Sequence, residues 1–458
     1  MLPQDARAAL AAAVGPGGLT TDRDLLAPRE VDWRGRTLGA AAALVRPGSL
    51  AQTQAVVRAA HAHGLVLVPQ GGRTGLVGGG LPPPQARGPV VLVGLERMAA
   101  IRAIDPEARV MVVEAGVVLE TVHAMAHKVG LRFPLSLAAR GSATVGGLVA
   151  TNAGGTQVLR HGSMRARVLG LEAVLPDGTA LHQLQPLRKD NAGLDVRQLL
   201  VGAEGTLGIV TAAALALAPP LAARTVAWAG LASPAAALAL LAALPPQTEA
   251  FELVPGEGLG LVLRHVPGMR RPLAGHHPWH ALIEVEAEAE AIAGPLAALA
   301  EDAVIARSGA QADALWALRE ALPEAERRDG PAIKHDIAVP VAGVPAFLEA
   351  VVPEVEAAAP GGRVLAFGHL GDGNLHFNVR APAGAGPAWV EAHGPQLTRL
   401  VHDRVAAVGG SIAAEHGVGW FKRDELARLG DPGRLAAMRA IKAALDPAGI
   451  MNPGKLLP

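Results

Sequence analysis

A mixed helix-and-strand protein of two or three domains is what this chain predicts, and three observations lead there. At 458 residues it is long enough to build more than one core. Strand-like apolar runs and helix-like stretches alternate from Ser49 onward. At Ala218-Pro219-Pro220 the composition shifts to Ala/Leu helices alternating with strands, so a domain boundary is expected there.

The elements follow in order. Ser49 reads as the N-cap of a helix over 51–63, and a short strand follows at 65–68. Further strands are expected at 90–93, 110–113, 168–175 and 209–217, with a helix at 119–129. Beyond the boundary a strand is expected at 281–285, and two more at 364–367 and 376–379 around a run of turn formers. Near Ser411 the chain passes into short Gly-rich motifs and one last helix. Asp431 and Pro432 start that helix, and Leu435, Met438, Ile441 and Leu445 form its apolar stripe. No internal repeat is visible.

Composition excludes several classes of function. Acidic and basic residues number 41 each, so no net field attracts nucleic acid or an anionic membrane. Without cysteine there are no disulfides, thiolate metal sites, cysteine nucleophiles or cysteinyl flavin links. The N-terminal ten residues carry Asp5 and Arg7 and lack a signal-peptide core. The longest Ala/Leu run, 235–244, is far shorter than the roughly 20 residues that span a bilayer. A soluble protein without a transmembrane segment is expected. The cytoplasm is the default compartment, with peripheral membrane docking left open.

Three glycine-rich segments lie before the boundary: VPQGGRTGLVGGG from Val68, RGSATVGGLVATNAGG from Arg140 and GAEGTLGIVT from Gly202. None matches a Rossmann or P-loop spacing. Small and hydroxylated residues let backbone N–H groups approach an anion, with pyrophosphate the common ligand. Three such loops in one domain point to a long ligand, such as a dinucleotide bound without a Rossmann fingerprint.

A second constellation lies near the C-terminus. His369 and His376 bracket Leu370-Gly371-Asp372-Gly373-Asn374-Leu375, and Glu415 stands next to His416. Seven apart, the two histidines would face opposite ways on one unbroken strand, so a hairpin is needed to unite them. Asn378 then shares a face with His376. Two His and one carboxylate suit a divalent ion with open coordination positions, and His416 is placed to move a proton. His123 and His127, with Glu120, read as a solvated helix face. His276, His277 and His280, around Pro278, read as loop residues.

Taken together, the order PQGGxTGLVGG, GSxxxGGxxATNAGG, GxEGTLGIVT, GHLGDGNLHFNV, AEHGVG and DPxGIxNPGK resembles one family. This is the FAD-linked 2-hydroxy-acid dehydrogenases of the vanillyl-alcohol-oxidase type, which include D-lactate, glycolate and D-2-hydroxyglutarate dehydrogenases. The match begins near Val31-Asp32-Trp33-Arg34-Gly35 and runs to the C-terminus. The resemblance implies an α+β fold in three parts. These are a two-subdomain FAD-binding domain (1–218), an α+β substrate domain with an antiparallel sheet (219–410), and a C-terminal helical segment returning to the flavin (411–458).

Residue by residue, the resemblance implies that Pro69, Gly71, Gly72, Thr74, Gly75 and Leu76 hold the pyrophosphate. Ser142, Gly146, Gly147, Thr151, Asn152, Gly155, Glu204, Gly208 and Ile209 would line FAD, and Asn452 would reach the flavin. His369, His376 and Glu415 would bind a divalent metal, zinc first with manganese or iron as alternatives. His416 would be the catalytic base, while Arg319, Lys334 and Asn378 grip the substrate carboxylate. The small-molecule partner would be a D-2-hydroxy acid. The electron acceptor would be an electron-transfer flavoprotein, a quinone or a cytochrome, and a homodimer is compatible. Three positions depart from the usual pattern: Arg73 for Asn, His161 for Tyr, and Pro323 where the hydroxyglutarate enzymes often have Thr. The alternatives are a flavoprotein subunit of a glycolate-oxidase-like complex and a dehydrogenase of another alcohol with a structural metal.

Overall fold

The computed structural model describes residues 2–457, which divide into two compact units. The first comprises the chain up to Gly154, Gly162–Pro220 and everything from His416 onward. It contains nine strands: β1 (Leu19–Thr20), β2 (Ala43–Val45), β3 (Val66–Gln70), β4 (Val90–Gly94), β5 (Ile101–Asp105), β6 (Val110–Glu114), β7 (Val168–Val174), β8 (Ala180–Gln183) and β9 (Ile209–Ala216). They form two sheets, β1-β2-β4-β3 and β5-β6-β9-β7-β8. β2, β4 and β3 run parallel, while the five-stranded sheet is antiparallel throughout. One apolar cluster lies on the five-stranded sheet, and another joins the four-stranded sheet to Val174 of β7 and Ile209 of β9.

Local chemistry explains where these elements start. The Ser49 hydroxyl accepts the Gln52 N–H at 3.2 Å and opens the helix Leu50–Ala62. That helix buries Val56, Val57 and Ala60 beside β3 and β4. Asp431 likewise accepts the Arg434 N–H and opens the helix Pro432–Leu445. Of the expected stripe on that helix only Leu435 is fully buried, while Ile441 and Leu445 lie against the core of the five-stranded sheet.

The second unit contains Gly155–His161 and Leu221–Glu415. Its strands are β10 (Thr225–Leu231), β11 (Thr248–Pro255), β12 (Trp279–Val285), β13 (Asp302–Ile305), β14 (Ala332–Ala338), β15 (Arg363–His369) and β16 (Asn374–Arg380). They form one antiparallel sheet, ordered β13-β10-β12-β11-β15-β16-β14. Leu365 and Phe367 of β15 pack into a core with Leu315 and Leu318 of the helix Gly309–Glu320 and with Leu322 and Ala325 of Leu322–Asp329. Those two helices therefore lie over one face of the sheet.

Three details differ from the sequence expectation. Residues 155–161, Gly155 among them, join the second unit because Arg160 and His161 both meet the fully buried Glu249 of β11. Residues 411–415 also belong there, since Ser411 bridges antiparallel to Ala338 at the end of β14. His280 is not a loop residue: it lies in β12 and is 1% exposed. Among the described residues no helix is long and apolar enough to cross a membrane.

Candidate active site

Strand register explains why the C-terminal constellation comes together. Lys334 pairs with Asn378, and Asp336 with His376, across β14 and β16. Phe367 pairs with His376 across β15 and β16, and Glu252 with His369 across β11 and β15. Directly opposed residues share a face, so all these side chains stand on one side of the sheet. It is the side that carries Leu365 and Phe367, under the helices Gly309–Glu320 and Leu322–Asp329.

His369 ends β15, a turn of 3-10 helix (Leu370–Asp372) reverses the chain, and His376 rises on β16. The two imidazole centroids lie 5.7 Å apart with planes at 78°. Glu415 arrives along the segment that begins at Ser411, its N–H donating to Asp336 Oδ2 at 2.9 Å. One ligand-capable atom each from His369, His376 and Glu415 lies within 4.8 Å of the others. Two imidazoles and one carboxylate at that spacing fit a divalent ion such as Zn²⁺ that keeps a coordination position for substrate.

Buried carboxylates orient these groups. Glu252, fully buried, sits between two of them: Oε1 is 2.6 Å from His369 Nδ1, and Oε2 accepts from Arg319 Nε at 2.8 Å. A proton held on Nδ1 leaves Nε2 as the ligand nitrogen, and Nε2 lies 3.2 Å from Glu415 Oε1. Burial works to raise the Glu252 pKa, but the charges of His369 and Arg319 outweigh it and bring it to about 2. The same partner, against its own burial, holds His369 well above the ordinary histidine value. Burial lowers His376 to about 4 against the opposing charges of Glu415 and Asp336, giving the neutral form a metal requires.

Arg319, in the last turn of Gly309–Glu320, is 7% exposed and lies on the buried side of that helix. Its guanidinium sits 5.0 Å from the Phe367 ring centroid, with only Nε committed to Glu252 among the described residues. Lys334 Nζ donates to Glu326 Oε2 at 2.6 Å, and Asn378 Nδ2 donates to the same oxygen at 3.0 Å. Glu326 is 1% exposed, and among the described residues its other oxygen has no hydrogen-bond partner. Two cations and an amide, each hydrogen-bonded to a buried acid, have the chemistry to bind a carboxylate.

Sequence reasoning missed Glu252, Glu326 and Asp336. Glu252 alone left a trace, as a lone acid inside the apolar run Ala250–Val254.

In the first unit the three glycine-rich segments pack on one another. A side chain at Gly72 would stand 1.9 Å from Ser142 O, so only glycine allows that approach. Gly205 lies against the Pro69 ring, and Asn452 Nδ2 donates to both Gly79 O and Glu204 O. Gly71, Gly75 and Ser142 are exposed, and a Cβ at Gly75 would meet nothing within 4 Å. Among the described residues, buried Gln70 Oε1, Thr144 Oγ1, Asn452 Oδ1 and Lys455 Nζ have no hydrogen-bond partner. Unpaired polar atoms from the glycine-rich segments and the C-terminal segment, beside an open glycine surface, fit a long polar ligand such as FAD.

Other expected ligand-lining residues have partners in the protein itself. Asn152 Oδ1 accepts from Ser163 and Arg165, and Thr151 Oγ1 donates to Gly147 O. A Cβ at Gly146 would crowd Ala115, and Gly208 and Ile209 stand where β9 enters the core. Thr74 and Leu76 are half-buried. Arg73 adopts φ 58°, a left-handed conformation that asparagine takes more readily, and its guanidinium donates to Pro28 O. His161 Nε2 is 3.2 Å from Glu249. Half-buried His416 follows Glu415 directly in the chain and is the first residue of the returning segment.

Residues 221–456 match the family described as FAD linked oxidases, C-terminal domain, and residues 41–183 match an FAD binding domain. The chain is 40% identical to a D-2-hydroxyglutarate dehydrogenase of Xanthomonas citri pv. viticola, over 93% of this chain and 91% of that one. It is 37% identical to the mitochondrial D-2-hydroxyglutarate dehydrogenase of Bos taurus, over 100% and 84% respectively. Its fold is similar to that of p-cresol methylhydroxylase, with a TM-score of 0.75 at 17% identity over 98% of this chain and 96% of the other. It is also similar to 4-ethylphenol oxidase from Gulosibacter chungangensis, with a TM-score of 0.72 at 18% identity over 99% and 96%.

Proposed function

The chain belongs to the FAD-linked oxidases, and from that premise we propose that it oxidises a D-2-hydroxy acid to the 2-oxo acid with a divalent metal in the second unit. The observation that carries this reading is the convergence of His369, His376 and Glu415 on the sheet face that also presents Lys334 and Asn378. When bound, FAD supplies the acceptor for the hydride leaving the α-carbon, and the ion supplies positive charge for the substrate's hydroxyl and carboxylate oxygens.

The protein's own part is binding and proton transfer. Arg319, Lys334 and Asn378 take the carboxylate, with Glu252 and Glu326 holding them in place. His416 accepts the hydroxyl proton as hydride departs. Pro69, Gly71, Gly72, Thr74, Gly75 and Leu76 form the pyrophosphate loop, with Ser142, Gly147 and Asn452 along the remaining length of FAD. Electrons then pass to a flavoprotein, quinone or cytochrome. D-2-hydroxyglutarate is the leading substrate, because relatives bearing that name are 34–40% identical over nearly the whole chain. Pro323, in the first turn of Leu322–Asp329, offers no side-chain donor there.

Dye reduction by the isolated chain with D-2-hydroxyglutarate, D-malate, D-lactate and glycolate in parallel tests the reading. The expected result is fastest turnover with D-2-hydroxyglutarate, abolished by EDTA and restored by Zn²⁺ or Mn²⁺. No turnover with any of the four acids, with FAD bound and metal present, would overturn it.

A further inference from the structure

Directly after His416 come Gly417, Val418 and Gly419, two glycines at positive φ around one valine. The Val418 carbonyl accepts the Lys422 N–H and the Gly419 carbonyl accepts the Leu456 N–H, while the two amides share one side-chain partner. The Val418 N–H donates to Glu204 Oε1 at 2.8 Å and the Gly419 N–H donates to Glu204 Oε2 at 2.8 Å. Both oxygens of one carboxylate are thus used on consecutive amides two and three residues beyond His416.

The fit around that carboxylate is close. Gly417 has φ 77°, and a Cβ there would lie 2.6 Å from Glu204 Oε1. A Cβ at Gly419 would lie 2.2 Å from Val77 O, which also accepts the Trp420 N–H at 2.8 Å. Glu204 is itself fixed at both backbone groups. Its N–H donates to Ala150 O at 2.7 Å, and its carbonyl accepts from Asn452 Nδ2 at 2.7 Å. It is 8% exposed, so water does not compete for the two amides.

We propose that Glu204 is a positioning residue for the proton-transfer step, its carboxylate clamping the 418–419 amides so that His416 is held where the hydroxyl proton leaves. The proposal rests on the reading of His416 as base. A carboxylate can accept both N–H groups, whereas an amide presents one acceptor and one NH₂ to two donors. Glu204→Gln therefore releases one amide from the clamp and lets the Gly-Val-Gly run tilt about the carbonyl bonds it keeps to Lys422 and Leu456. A misplacement on the order of 1 Å costs about 10²-fold in rate.

The test is anaerobic flavin bleaching in a single turnover with saturating D-2-hydroxyglutarate, on the FAD- and metal-loaded enzyme. Glu204→Gln is expected to slow bleaching about 10²-fold per bound flavin with an unchanged half-saturating substrate concentration. In the His416→Ala background it is expected to add no further loss, because there is then no base left to misplace. A Glu204→Gln enzyme that bleaches at the wild-type rate, or losses that multiply in the double variant, would overturn the clamp. If His416→Ala alone bleaches at the wild-type rate, the base assignment falls by its own measurement and takes the clamp with it. Should Glu204→Gln fail to hold flavin, Gly417→Ala decides, since its methyl crowds Glu204 Oε1 and displaces the same Gly-Val-Gly run. The same slowing and non-additivity support the proposal, and a wild-type rate overturns it.

Discussion

Replacing Glu252 with glutamine perturbs the site through its most connected residue while leaving its shape intact. Arg319 and Glu252 meet at 2.8 Å, with side chains 8% and 0% exposed. With an effective dielectric of 20, that separation corresponds to a gross attraction on the order of 6 kcal/mol. Desolvation offsets much of it, and removing one partner of such a buried pair costs about 3–5 kcal/mol. The second consequence concerns His369. Without the carboxylate that holds its Nδ1 proton at 2.6 Å, the ring loses both orientation and basicity, and loss of such a partner weakens metal affinity about 10–100-fold. The assays are Zn²⁺ titration against a competing chelator and a thermal melt of the flavin-loaded protein. Glu252→Gln should bind Zn²⁺ about 10–100-fold more weakly, melt several degrees lower and need more substrate to saturate. Zinc affinity within twofold of wild type would refute the claim that Glu252 orients the ligand histidine.

His416→Ala should reduce turnover by about 10²–10⁴-fold, the usual contribution of a general base, while retaining flavin absorbance; turnover at the wild-type level would exclude the role. His369→Ala should lose bound metal and activity together, as measured by metal analysis of the purified protein, and a variant that keeps stoichiometric metal would contradict the ligand assignment. Burial, and then the neighbouring charges of His277 and Arg271, lower His280 from 6.5 to about 4. Below pH 6.5 the unfolded chain therefore binds a proton that the folded chain refuses. The stabilisation is present above pH 6.5 and is lost as pH falls through about 4. Its ceiling is about 3 kcal/mol, so the apparent Tm of His280→Leu should fall less than that of wild type between pH 7 and 4.5. Equal falls would refute it.

Much of this molecule was legible in the sequence because the relevant physics is local. Ser49 and Asp431 cap helices through amides three residues away. The glycine-rich turn between His369 and His376 announces a reversal, and the near-alternation of β16 puts His376 and Asn378 on one face. The six ordered motifs point to FAD and to the class of reaction. The tertiary structure alone decided how those residues are held. Arg319 meets Glu252 across 67 positions, His369 meets Glu252 across 117, and the Gly-Val-Gly run after His416 meets Glu204 across more than 200. Glu252 gains its low pKa from cationic partners that only folding brings to it, against the opposing effect of its own burial. A glutamate in an apolar strand thus looks like an irregularity in sequence, and only the assembled sheet makes it the brace of an active site.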